Sequence, residues 1–147
     1  MAKYLIGVDF QPGDEPAPMS DWTPEEVQAH LDYYGELIGE LEANGELVSS
    51  TILTGPDLAK IVRSDGVAPV VTDGPFQEFK EWLAGFQVVE VDSEERALEI
   101  ASRMSAVPGP GGRPTRQPIH VRQVMEQAPA NTEEMDAFLR TAAGAPS

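Results

Sequence analysis

The sequence predicts an α+β fold, and three observations carry that expectation. Apolar residues alternate at Tyr4, Ile6, Val8 and Phe10, a capped amphipathic helix starts at Thr23, and two β-prone runs flank Asp65-Gly66. At 147 residues the chain has room for one core. Residues 1–128 are expected to form a single domain, with 129–147 an appendage that contains a short helix.

Tyr4 to Phe10 has the period of two that marks a strand. From Gln11 to Asp21 Pro, Gly and acidic residues replace any apolar period, which predicts a surface loop. Thr23 then supplies a capping hydroxyl, Pro24 suits the first helical position, and Glu26 completes a Thr-x-x-Glu box. Val27, Leu31, Tyr34, Ile38 and Leu41 recur at helical spacing as the expected buried stripe, His30 sits on its flank, and Asn44-Gly45 ends the helix. Leu47 to Thr54 reads as a strand. Leu58 to Ser64 and Val67 to Thr72 read as a hairpin turning at Asp65-Gly66, which Asp73-Gly74-Pro75 closes.

Leu83 to Val91 predicts a long strand. Asp92 and Glu95 offer a capping box for a second helix that buries Ala97, Leu98, Ala101 and Met104. Val107 to Pro118, with four Pro and three Gly, predicts a mobile surface connection. Ile119, Val121 and Val124-Met125 form the last β-prone segment, and Asn131 with Glu134 caps a helix around Met135 to Thr141. The order β, α, β, hairpin, β, α, β is that of a ferredoxin-like βαββαβ unit with an inserted β-hairpin. Two helices cover one face of such a sheet, so the other face calls for a partner, and a homodimer is the expected supply.

A net charge of −15 opposes binding to a polyphosphate, so no nucleic-acid partner is expected. No cysteine is present, which excludes thiol nucleophiles, disulfides and thiolate metal sites. No apolar run approaches the roughly 20 residues that span a bilayer, and the first ten residues lack a signal-peptide core. A soluble, cytoplasmic protein with no membrane partner is the expectation. The motifs of zinc proteases, EF-hands, serine hydrolases and phosphate loops are missing, so no metal and no cofactor is expected.

His30 and His120 are the only imidazoles. His30, beside a buried stripe, is the better candidate for a general base, and the structural alternative is a boundary histidine bonded to a backbone carbonyl. His120 alternates with Arg122 and reads as half of a polar pair on an edge strand. Asp73 heads a Gly-Pro turn; it either bonds its own backbone or orients an imidazole across the sheet. Arg122 is a candidate to hold an anionic substrate.

The run Val71-Thr72-Asp73-Gly74-Pro75-Phe76, followed by Glu78-Phe79-Lys80-Glu81 and Gly85-Phe86, resembles the DGPF signature of YCII-related proteins. The likeness extends over most of residues 1 to 126. It implies a ferredoxin-like protomer that dimerises into an α/β barrel, and it points to His30 and Asp73 as the matching site positions. A few members of that family are linked to dehalogenation of aromatic breakdown products, and some are encoded near extracytoplasmic-function sigma factors. Two functions therefore stand open: a small-molecule enzyme with His30 and Asp73 as catalytic acid/base pair and Arg122 binding substrate, or a non-catalytic dimer binding a metabolite or regulatory partner.

Overall fold

The computed structural model describes residues 1–9, 17–73 and 82–142. Its main elements are β1 (Ala2–Asp9), α1 (Pro24–Ala43), β2 (Leu47–Ile52), β3 (Lys60–Ser64), β4 (Pro69–Asp73), β5 (Leu83–Val91), α2 (Glu94–Ser105), β6 (Ile119–Gln123) and α3 (Thr132–Ala142). Phe10, most of the expected loop after it, and Gly74, Pro75, Phe76 and Phe79 fall outside the described residues.

Four strands form an antiparallel sheet in the order β2-β5-β1-β6, and β3 with β4 forms a separate two-stranded hairpin. The arrangement is compatible with the ferredoxin-like expectation. Tyr4 and Ile6 of β1 and Val89 and Val91 of β5 point to one face, where Leu37 and Leu41 of α1 and Ala97, Ile100 and Met104 of α2 bury them. Lys3, Leu5 and Gly7 of β1, Phe86, Val88 and Glu90 of β5, and His120 and Arg122 of β6 occupy the opposite face, which neither α1 nor α2 covers. Ile119 and Val121, the alternate residues of β6, pack toward α2 and the core.

The first helix begins as its sequence dictates. Thr23 Oγ1 accepts from Glu26 N at 3.1 Å, and the Glu26 carboxylate accepts from Thr23 N at 2.9 Å, a reciprocal cap that stabilises the helix by about 1 kcal/mol. The buried stripe sits differently from the expected one. Leu37 and Leu41 are buried, whereas Leu31 is 55% exposed. In α2 the cap is Ser93, whose Oγ accepts from Arg96 N, in place of Asp92. Ile100 takes the buried position there, and Leu98 points outward. Most of each expected stripe is buried, and the residues that differ are set by which part of the helix meets the sheet rather than by apolar spacing alone.

The Val107–Pro118 connection is a further correction, because it is a closed loop with its own hydrogen bonds. Pro108 bridges Pro114, Gly109 N donates to Arg113 O at 2.7 Å, and Thr115 N donates to Val107 O at 2.9 Å. Val107 and Thr115 are buried at its base. Four prolines and three glycines here shape a tight fold instead of a mobile link, since Gly111 and Gly112 adopt positive φ that other residues resist. The hairpin turn spans Asp65–Ala68, wider than a two-residue turn, because Asp65 Oδ1 accepts from both Val67 N and Ala68 N. The expected terminal helix is present, with Asn131 Oδ1 accepting from Glu134 N at 2.8 Å.

Candidate functional site

The two imidazoles have different surroundings. His30, half-buried on α1, has Nδ1 3.0 Å from the carbonyl of Pro108. A carbonyl only accepts, so Nδ1 carries the proton and donates. Trp22 meets the ring edge-on and Tyr34 meets it at a tilt, each with centroids 5.4 Å away. His30 is one link in a series along α1 that grips the last turn of α2 and the loop after it. Glu26 accepts from Gly111 N at 2.6 Å, Tyr33 Oη donates to Arg103 O at 2.7 Å, and Tyr34 Oη reaches Met104 O. Spacing of three or four residues puts these groups on one helical face.

Asp73 ends β4. Its carboxylate accepts from Lys60 Nζ at 2.6 Å across the hairpin, in an exposed ion pair of the kind that contributes little in water. His30 thus bonds Pro108 and Asp73 bonds Lys60, and no hydrogen bond joins His30 to Asp73.

A different imidazole and carboxylate do meet. His120 Nε2 lies 2.7 Å from Asp9 Oδ2. Register explains it: β1 and β6 pair antiparallel with Gly7 opposite His120, so Asp9, two residues on, shares the uncovered face with the ring. The β1–β5 register shifts beside it, since Val8 faces Gly85 while Asp9 faces Leu83, leaving Ala84 as the extra residue. Gln117 Nε2 donates to the main-chain carbonyl of Asp9 at 2.9 Å and fixes the strand end. The Asp9 side chain is 14% exposed and that of His120 49%, so the acid is shielded and the imidazole faces solvent.

An ionised carboxylate only accepts, so the neutral imidazole carries its proton on Nε2, and Nδ1 presents the lone pair. That is the arrangement of an oriented base. Asp9, as the acceptor, selects the tautomer that leaves the Nδ1 lone pair open.

Arg122 projects on the same face, opposite Leu5. It makes no hydrogen bond or ion pair with a described residue. A shallow groove of about 350 Å³ lies elsewhere, between α2 and β6, lined by Leu98, Ile119 and Val121, on the opposite side of β6 from His120. No group of three metal-ligating side chains is found among the described residues. Nor is any described helix long and apolar enough to cross a membrane.

From the sequence alone His120 reads as half of an edge-strand pair, and nothing marks Asp9. The missing signal was topological. In a ferredoxin-like order the first and last strands are neighbours, and antiparallel pairing then brings polar residues near the end of one to the start of the other.

A family model described as YCII-related domain matches residues 2–111. No curated protein matches this chain.

Proposed function

The chain belongs to the YCII-related family, and from that premise we propose that it is a dimeric small-molecule enzyme that moves a proton with His120 and Asp9. The observation that carries this reading is the 2.7 Å contact between His120 Nε2 and Asp9 Oδ2 on the uncovered sheet face. A second copy laid face to face over that surface would turn it into a chamber, since ligand sites favour concavities between packed units. Leu5, Phe86 and Val88 supply apolar area for such packing. Inside it, His120 Nδ1 accepts a proton from a bound molecule and returns it, with no redox step required.

The pair His30 and Asp73 is the second arrangement. One observation favours His30: with Nδ1 committed to Pro108, its Nε2 holds a lone pair between two aromatic walls. Asp73 would serve it only after leaving Lys60.

A thermal-shift screen of small organic acids and alcohols finds ligands, and the variants His120→Gln, Asp9→Asn and His30→Ala separate the arrangements. Turnover lost in the first two and kept in the third supports His120 as base. Loss in His30→Ala alone transfers the role to His30. Ligand binding with no turnover of any ligand overturns the enzyme reading in favour of a metabolite-binding dimer.

A further inference from the structure

Resting on the reading of His120 as the proton-handling group, we infer that its substrates are small monocarboxylates with an apolar body, held by Arg122 through the carboxylate and by Leu5 and Leu83 through the carbon skeleton.

The uncovered face carries three kinds of surface side by side. The apolar part is centred on Gly7. A Cβ built at Gly7 would meet Leu83 Cδ1 at 3.1 Å, Leu5 Cδ2 at 3.2 Å and His120 Cβ at 3.8 Å, so these side chains converge over the glycine. They form an apolar floor beside His120. Gly7 is the residue that lets them close in, because any side chain there would push them apart.

The cationic part is Arg122. It lies two residues from His120 on the same strand and face, which sets the two Cα atoms about 7 Å apart. That separation suits a carboxylate and a proton-bearing atom a few bonds away on one molecule. In a chain with 25 acids against 10 bases, this guanidinium makes no ion pair with a described residue. A guanidinium offers two parallel N–H donors that match a carboxylate.

The third part limits ligand charge. Glu90 and Asp9 share the face with Arg122 and Lys3, and the whole chain is strongly acidic. A monoanion is neutralised by Arg122 alone, whereas a phosphate dianion keeps a charge that these acids repel. The apolar floor offers no donors for a sugar. Carboxylate, short spacer and hydrocarbon body therefore describe the ligand class.

The test uses the full chain, with cyclohexanecarboxylate, the neutral cyclohexylmethanol and inorganic phosphate as probes. Affinities come from calorimetry, and the site from the methyl NMR signals of Leu5 and Leu83. The carboxylate should bind about tenfold or more tighter than the alcohol, Arg122→Gln should erase that difference, and Arg122→Lys should restore part of it. Phosphate should leave the methyl signals unmoved. Equal affinity for carboxylate and alcohol, an unaffected Arg122→Gln variant, or shifts confined to the groove between α2 and β6 would overturn the assignment. The imidazole ¹⁵N signals of His120 report separately on the proton-handling reading. Carboxylate binding that leaves them unchanged sinks that reading while the Arg122 anchor stands, and a response that persists in Arg122→Gln does the reverse.

Discussion

Gln117 donates from Nε2 to the main-chain carbonyl of Asp9 at 2.9 Å, so the loop that leads into β6 also fixes the end of β1. Ser105, the last residue of α2, in turn donates its hydroxyl to Gln117 O at 2.7 Å. The aspartate facing His120 is thus positioned by main chain and side chain together. If its carboxylate sets the imidazole tautomer, Asp9→Asn should change it, because an amide can donate where a carboxylate cannot. The imidazole ¹⁵N pattern should show the proton on Nε2 in the parent protein and a shift toward Nδ1 in Asp9→Asn. An identical pattern in both would show that Asp9 does not control the ring.

His30 ties α1 to Pro108 with a half-buried hydrogen bond. Removing the ring in His30→Ala strands that carbonyl and empties the space between Trp22 and Tyr34, which should cost about 1–3 kcal/mol. Amide exchange should quicken across Val107–Thr115, where the loop depends on α1 for anchorage. A variant that keeps full stability and slow exchange would show that the ring does not hold the loop.

How much of this was readable beforehand divides along physical lines. Capping at Thr23 and Asn131, the strand periods and the element order depend on local chemistry, and they stand as the sequence implies. Leu31 and Leu98 fit the apolar spacing yet lie outside, because spacing alone leaves open which part of an apolar helix face meets the sheet. The contact between Asp9 and His120 joins residues 111 positions apart, so it follows only from strand order and register. Pro and Gly in Val107–Pro118 signalled a break in regular structure. They carried no information on the hydrogen bonds that Glu26 and His30 make to it from α1.

Burial pushes the Tyr34 hydroxyl up to about 12, with the neighbouring Tyr33 adding to the shift. The folded state therefore holds this proton more tightly than the unfolded chain, where the phenol ionises near pH ~10. Stability from this group is complete below that pH and is lost as pH rises through the folded value. Denaturant midpoints should fall between pH ~10 and ~12 in the parent protein, and Tyr34→Phe should flatten that part of the curve. An equal fall in both proteins would place the alkaline sensitivity on another group.

Arg96 joins α2 to the start of β2. Its Nη2 lies 2.8 Å from Glu46 Oε1 and its Nε lies 3.0 Å from Glu46 Oε2, a two-point pairing in which the acid side chain is 17% exposed. The guanidinium holds the Glu46 carboxyl below the usual carboxylate range. Its stabilisation is therefore present above the unfolded value near pH ~4.3 and is lost as pH falls through the lower folded value. Glu46→Gln should lower stability at neutral pH by about 1–2 kcal/mol and remove part of the acid-side slope. An unchanged slope would mean that other carboxylates, such as Glu40 beside Arg103, set it.

The last helix, α3, supplies no residue of the buried core among the described residues. Met135, Phe138 and Leu139 form an apolar stripe on α3, yet each is between 39% and 54% exposed. A helix of 11 residues is marginal alone in water, since nucleation is costly and most helical stability comes from packing. Nothing in the buried core depends on it, because the core residues come from β1, α1, β5 and α2 together with Val107. Ending the chain after Gln127 should therefore change the unfolding free energy of the remaining domain by no more than about 0.5 kcal/mol. In the intact protein, α3 amides should exchange far faster than those of α1. A larger destabilisation, or slow exchange in α3 that speeds up on dilution, would show the stripe packed in solution, and dependence on concentration would identify the surface it packs on as another copy of the chain.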